Sequence, residues 1–173
     1  MWDITVCALR KDGKYYAKVK WQYTELLTEL FIKNFMKPYH NWCKDHDLLF
    51  TGHMLHEDRL SYQVSTNGSV MRCYEHMDVP GVDTLCNHNY AYCIVKQLAS
   101  VARQTGKKHL MSELNGCTGW QMRFSDYKGI GDWQAIMGIN LRCPHLSWYT
   151  MQGEAKRDYP ASILHQSAWY KAY

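Results

Sequence analysis

The chain has 173 residues, of which 46% are hydrophobic and 21% charged, so a folded globular domain is expected and intrinsic disorder is excluded. Its net charge of only +4 is scattered, which argues against nucleic-acid binding. No apolar run approaches the roughly 18 residues that cross a membrane, and no signal peptide is visible. Seven cysteines without a CxxC pair favour reduced thiols over disulfides or a zinc ribbon. These features predict a soluble, cytoplasmic protein.

The amino-terminal segment, residues 1–22, is predicted to form a β-hairpin. Strand-like runs at 4–9 and 14–21 flank Asp12-Gly13, a dipeptide typical of tight hairpin turns. A helix should follow over 23–46, because its apolar residues recur at helical spacing. Pro38 should kink or divide that helix.

Strands and helices alternate through the rest of the chain. The pattern predicts strands at 48–50, 70–77, 109–111 and 139–149, and helices at 90–105, 125–137 and 160–172. Strands separated by helices are typical of right-handed βα units and a parallel sheet. The predicted fold is therefore α/β, with a partial (half) TIM-type (β/α) barrel over residues 23–173. Half a barrel leaves two open sheet edges, so we expect a homodimer, association with the missing barrel half, or an open sheet.

Two acidic residues follow predicted strands. Glu57 follows the strand of 48–50, and Glu113 follows the strand of 109–111. The carboxyl ends of parallel strands meet at one edge of the sheet, where substrates bind. Paired carboxylates there are typical of glycoside hydrolysis, in which one carboxyl donates a proton and the other attacks or activates water. We expect Glu57 to be the general acid and Glu113 the nucleophile or base.

Further side chains near the predicted strand ends are candidate contacts for a carbohydrate. Histidine and aspartate hydrogen-bond sugar hydroxyls, and a histidine beside Glu57 would tune its pKa. Tryptophan and tyrosine stack on a pyranose ring while keeping a polar group. An ordinary packing role is the alternative for each. The candidates are His53, His76, Asp78, Trp120, Trp148 and Tyr149.

No metal site is predicted from the residue spacing. The order His53-x-x-His56-Glu57 does not match the helical zinc motifs, and no calcium loop signature is present. Asp83 and Asp132 are interpreted as structural residues that cap or hydrogen-bond turns.

Four sequence blocks carry a resemblance to a known family. They are 51–58 (TGHMLHED), 74–83 (YEHMDVPGVD), 111–120 (MSELNGCTGW) and 145–158 (HLSWYTMQGEAKRD). With the region from 23 to 173 around them, they resemble the carboxyl half of the catalytic (β/α)8 barrel in large bacterial glycoside hydrolases, especially the α-L-rhamnosidase-like enzymes of family 106. The early barrel strands and accessory β-domains of those enzymes are absent.

The resemblance implies a carbohydrate substrate and cleavage of O-glycosidic bonds by two glutamates. It adds His145, at the start of the last block, to the candidate substrate contacts. It requires no cofactor, although it allows calcium. The alternative is a truncated, non-catalytic half-barrel that binds carbohydrate or assembles with a partner.

Overall fold

The computed structural model describes residues 16–86, 92–146, 150, 152–153 and 169–172. Its elements in chain order are α1 (Tyr16–Phe31), a π-helical turn (Ile32–Met36), α2 (Lys37–Asp45), β1 (Thr51–Gly52), α3 (Leu60–Thr66), α4 (Val70–Tyr74), β2 (Val79–Thr84), α5 (Tyr92–Thr105), β3 (Met111–Leu114), α6 (Phe124–Met137), β4 (Leu141–Pro144) and a 3-10 turn (Tyr170–Ala172). None of the described helices has the length and apolar character that a membrane span requires.

The four strands form one parallel sheet in the sequential order β1-β2-β3-β4. Glu113 at the centre of this sheet pairs with Asp83 on one side and with Cys143 on the other. Helices connect each strand to the next, as right-handed βα units require. The predicted α/β fold with parallel strands is confirmed, and its strand order is compatible with part of a (β/α) barrel.

Helices α5 and α6 form where the sequence predicts them. Gly106 follows α5 with a φ of +70°, and Gly138 follows α6 with a φ of +118°, so both helices end in the left-handed conformation that suits glycine. At the start of α6, Asp126 accepts a hydrogen bond from the Arg123 backbone N–H at 3.0 Å. The buried face of α5 consists of apolar residues at helical spacing, namely Ile94, Val95, Leu98, Val101 and Ala102.

The prediction of a strand over 70–77 is wrong, because the first part of this segment is helix α4. Ser69 acts as its N-cap by accepting a hydrogen bond from the Arg72 N–H at 3.4 Å. The second strand is instead Val79–Thr84, where Pro80 and Gly81 suggest a turn. Pro80 pairs with Gly52, the last residue of β1, so its missing N–H falls where that ladder ends. A Cβ at Gly81 would lie 2.7 Å from the Gly52 carbonyl oxygen, so glycine allows this close approach.

The amino-terminal prediction is also wrong where the structure describes it. Residues 16–21 belong to helix α1 and not to the second arm of a hairpin, so the proposed boundary at 22 falls within a helix. The first arm and the Asp12-Gly13 turn lie outside the described residues, as does most of the helix predicted over 160–172. The interruption expected near Pro38 is confirmed: the π-helical turn ends one residue before α2, and Pro38 occupies the first turn of α2, where its ring is tolerated.

The hydrophobic core lies where α4 and α5 pack together against β2. Cys73 and Tyr74 of α4, Leu98 of α5 and Val82 of β2 are fully buried in it. Burial raises the pKa of the Cys73 thiol to about 11, because the thiolate would lose its hydration. The inner strands β2 and β3 are thereby well covered, whereas most residues of β4 are exposed.

Candidate functional site

Three polar side chains meet at the carboxyl ends of neighbouring strands. His53 directly follows β1, and Asp83 and Glu113 are the last-but-one residues of β2 and β3. Because Asp83 and Glu113 are paired in register, their side chains project from the same face of the sheet. One side-chain nitrogen or oxygen from each of the three residues lies within 4.8 Å of the others. We call these three residues the rim cluster.

Within the rim cluster, His53 forms an ion pair with Glu113. Its Nε2 lies 3.1 Å from Oε2 of Glu113, and its Nδ1 lies 2.9 Å from the Met54 carbonyl oxygen. An imidazolium donates to both oxygens at once. Burial lowers the pKa of His53, but the Met54 carbonyl and the carboxylates of Asp83, Glu57 and Glu113 outweigh burial and raise it. The His53 and Glu113 side chains are 31% and 28% exposed, so an entering ligand can reach them.

Asp83 is the site residue that the sequence interpretation misses. Assigned there to a structural turn, it lies in the rim cluster, and its Oδ1 is buried without a hydrogen-bond partner among the described residues. Burial raises the pKa of Asp83 and the nearby Glu113 raises it further, whereas His53 and His145 lower it. Two neighbouring carboxyl groups, one of them with a raised pKa, are the pairing that acid–base chemistry uses.

Glu57 has a different environment, since its side chain is only 3% exposed. Its Oε1 accepts hydrogen bonds from the Met54 N–H at 3.0 Å and from the Tyr74 hydroxyl, and its Oε2 accepts one from the Asp83 N–H at 2.9 Å. Burial raises the pKa of Glu57, while these three donors and His53 lower it. Burial and the adjacent Glu57 raise the pKa of Tyr74, which keeps its hydroxyl protonated as a donor. Glu57 thus ties the segment after β1 to α4 and β2.

A buried polar layer supports the cluster from the α6 side of the sheet. Gln134 of α6 donates to Oγ1 of Thr84 at 2.5 Å, and the hydroxyls of Thr84 and Ser112 lie 3.1 Å apart. All three residues are fully buried. Thr84 directly follows Asp83, and Ser112 directly precedes Glu113. These bonds therefore fix the ends of β2 and β3 relative to α6.

His76 and Asp78 are not brought to the rim cluster. Both precede β2 and therefore lie toward the amino ends of the strands, which is the opposite edge of a parallel sheet. Asp78 accepts a hydrogen bond from the Phe50 N–H at 2.9 Å and lies 3.3 Å from Nε2 of His40. Burial and then the nearby Lys37 lower the pKa of His76. Their proposed sugar contacts depended on a strand over 70–77, which helix α4 replaces.

The structure describes two of the remaining candidate sugar contacts, His145 and Trp120. His145 follows β4, donates its backbone N–H to the Leu114 carbonyl at 2.8 Å, and lies near enough to lower the pKa of Asp83. Its ring packs against Gly116, where a Cβ would lie 2.6 Å from the imidazole Cδ2. Trp120 is 57% exposed in the turn after β3. The predicted stacking residues Trp148 and Tyr149 lie outside the described residues.

The donors of the rim cluster do not fit calcium, the ion that the family resemblance allows. Calcium takes about six to eight oxygen ligands, whereas the cluster offers two carboxylates and one imidazole nitrogen. Imidazole with carboxylates suits a first-row transition metal better. The chemistry available without a metal is proton transfer and nucleophilic attack by the carboxyl groups.

Partly exposed acids beside a histidine are the reactive groups that the structure places at the sheet edge. Their position at the carboxyl ends of parallel strands is where α/β proteins bind ligands. Fold alone does not identify an activity, so the site geometry has to supply it. Comparisons of this chain with protein-family models, with curated proteins and with solved structures find no match.

Proposed function

We propose that the chain acts as a glycoside hydrolase, α-L-rhamnosidase-like in its substrate class, with Glu113 as the reacting carboxylate. The observation that carries this proposal is the rim cluster, in which Asp83 and Glu113 come within 4.8 Å of each other beside an imidazole. Two carboxyl groups at this separation, on accessible strand ends, are the minimal machinery for cleaving a glycosidic bond.

Asp83 is the better-placed proton donor for this reaction. Burial raises its pKa, and its buried Oδ1 has no hydrogen-bond partner among the described residues, so no protein group there competes with a substrate oxygen for the proton of Asp83. Glu57 also has a pKa raised by burial, which favours the acid role that the sequence suggests. However, three protein donors already occupy its two oxygens. We therefore assign Glu57 to positioning Asp83 and the segment that holds His53.

The reaction proceeds in two balanced steps. The Glu113 carboxylate attacks the anomeric carbon while the bond to the leaving oxygen breaks, and that oxygen takes the proton of Asp83. Ionised Asp83 then removes a proton from water, whose oxygen displaces Glu113 and restores both groups. The His53 imidazolium stabilises the ionised form of Glu113 between turnovers.

The separation of the two carboxyl groups predicts the stereochemical outcome. Their nearest oxygens lie within 4.8 Å, which is closer to the about 5–5.5 Å of retaining enzymes than to the about 6.5–9.5 Å of inverting ones. We expect net retention at the anomeric carbon. Proton NMR of the first product formed from an aryl glycoside measures it, and an inverted product would contradict the double-displacement mechanism.

The roles are tested with aryl rhamnosides, galactosides and glucosides on the whole chain. Glu113→Gln should abolish hydrolysis of every active substrate. Asp83→Asn should lose hydrolysis of substrates with poor leaving groups but retain it for dinitrophenyl glycosides, which need no proton. Added azide should speed turnover by Asp83→Asn, because azide attacks the intermediate without a base.

Asp132→Asn is the matched control, since Asp132 is an exposed acid on α6 paired with Lys128. It should hydrolyse at the wild-type rate. Unchanged hydrolysis by Glu113→Gln would overturn the mechanism. Sugar binding without turnover by the wild-type chain would instead favour the non-catalytic half-barrel.

A further inference from the structure

Both edges of the sheet are open in the described residues. β1 pairs only with β2, and β4 pairs only with β3. Thr51 of β1 and Leu141, Arg142 and Cys143 of β4 are exposed, although parallel sheets normally have both faces covered. Unpaired edges of this kind promote association with another strand.

An apolar band leads along the helices to the β1 edge. Phe31 and Phe35 stack with ring centroids 5.0 Å apart, Phe35 and Tyr39 lie 4.7 Å apart, and Tyr39 lies 6.0 Å from Phe50, just before β1. We call these four residues the aromatic ladder. Leu49, which directly precedes Phe50 in the chain, is 68% exposed. The inner face of the same helical stretch is buried, so this outer apolar face is additional to what the core needs.

The β4 edge carries a smaller apolar surface of its own. Leu141 begins the strand and Leu146 follows it, and both side chains are exposed. Cys143 is exposed between them and pairs with Glu113, so it lies on the same face of the sheet as the rim cluster. Each open edge thus carries exposed apolar side chains, and the apolar surface beside β1 is the larger of the two.

We propose that a second copy of this chain closes the sheet, with β4 of each copy beside β1 of the other. Four parallel strands in sequential order are half of an eight-stranded barrel, so two copies complete it. A single twofold association then covers both edges of each copy, which a lone strand or helix from another partner would not do.

The exposed apolar area is sufficient for a stable dimer. A half-exposed large side chain leaves on the order of 100 Å² accessible. Eight such side chains therefore give on the order of 800 Å² per copy, comparable to the roughly 800 Å² per partner of a stable interface. They are Phe31, Phe35, Tyr39, Trp42, Leu48, Leu49, Leu141 and Leu146.

Closure would complete the site as well as the sheet. All strands of such a barrel end at one mouth, so the second copy would supply the wall that faces the rim cluster. This consequence rests on the proposed function, but the association itself does not. Mass and activity are measured separately, so a dimer without hydrolysis would refute the glycosidase proposal and leave the barrel closure standing.

Size-exclusion chromatography with light scattering tests the association over a wide range of concentration. The wild-type chain should have twice its 20.4 kDa mass. The double variant Tyr39→Glu, Leu49→Glu should be a monomer with an unchanged circular dichroism spectrum. Ile136→Glu is the matched control, because Ile136 is 85% exposed on α6, belongs neither to the aromatic ladder nor to β4, and should leave the dimer intact. A wild-type monomer at every concentration, or a double variant that stays dimeric, would overturn the proposal.

Cross-linking gives a second test if the charged double variant fails to fold. Thr51→Cys places a thiol on β1, and Cys143 already lies on β4. A short bis-maleimide should link two copies of Thr51→Cys into a covalent dimer, and the added substitution Cys143→Ser should remove at least most of that product. A product that does not depend on Cys143 would contradict the pairing of β1 with β4.

Discussion

The segment after β1 and the end of β3 each carry a glutamate, and the two acids have opposite environments. Glu57 is buried, with both oxygens bonded to protein donors, whereas Glu113 is partly exposed and paired with His53. Similar positions in the sequence therefore lead to different uses. The difference teaches that a strand-end acid is a candidate for catalysis only when protein donors do not already occupy both of its oxygens.

The largest expected effect is the loss of activity when Glu113 is replaced, which should leave the stability of the fold almost unchanged. Glu113→Gln should lower kcat/KM for aryl glycosides by about a thousandfold or more, which is about 4 kcal/mol of transition-state stabilisation. Its free energy of unfolding should change by only about 0.5 kcal/mol, because its ion pair with His53 is partly exposed. Steady-state kinetics and urea unfolding check the two values. A large loss of stability would place Glu113 in the same class as Glu57.

The next effect belongs to Glu57 and is measured as stability. Glu57→Ala leaves the Met54 N–H, the Asp83 N–H and the Tyr74 hydroxyl without their acceptor, and should lower the free energy of unfolding by about 3–4 kcal/mol. Asp58→Ala is the control, since Asp58 is exposed and forms a surface ion pair with Arg59. Equal urea midpoints for the two variants would contradict the anchoring role.

A smaller loss of stability is expected when one of the hydrogen bonds to the buried Glu57 is removed. Tyr74→Phe keeps the buried ring but removes the donor to Glu57, and should cost about 1–2 kcal/mol. Tyr62→Phe makes the same chemical change at an exposed ring and should be silent in thermal unfolding. If both substitutions lower Tm equally, the Tyr74 hydroxyl does not contribute through Glu57.

The smallest effect concerns the pH dependence of the His53–Glu113 pair. The pKa of folded His53 is raised above 6.5, so the imidazolium stabilises the fold below pH 6.5, and this contribution disappears as pH rises through the folded-state pKa. His53→Gln should therefore lower stability below pH 6.5, by about 1 kcal/mol or less, and have little effect well above it. Urea unfolding across this range measures the difference. A Glu113→Gln background should reduce it, and an equal loss at every pH would exclude the ion pair as its source.

The sequence predicts the regular elements of this fold better than its exceptions. The helix that contains Leu98 is found because its apolar periodicity and its glycine stop agree, and the helix that contains Ile130 is found with its glycine stop at Gly138. Helix α4 is missed because residues 70–74 are a short, largely apolar run, which periodicity alone cannot assign to a helix or a strand, although Ser69 offers the N-cap signal. β2 is missed because Pro80 and Gly81 usually mark turns, whereas here Gly81 is required by the close approach of β1.

The site is only partly predictable because its contacts join distant parts of the chain. Glu113 is identified from its position alone, since β3 lies near its predicted place. Asp83 is missed because its importance depends on the correct assignment of β2 and on pairing with a residue 30 positions later. The burial of Glu57 depends on Tyr74 and on the Asp83 N–H, which no local sequence pattern indicates.

Because the thiol of Cys73 is buried, its chemical modification reports local unfolding of the core. Cys73 lies next to Tyr74 in the centre of the core, whereas Cys86, Cys93 and Cys143 are exposed. Alkylating reagents attack the thiolate, which both the raised pKa and the lack of access suppress at Cys73. The delay between modification of the exposed thiols and modification of Cys73 therefore measures how often the core opens by local unfolding. Mass spectrometry of the intact protein would follow the alkylation of Cys73 over time, and it requires neither a dye nor a change of sequence.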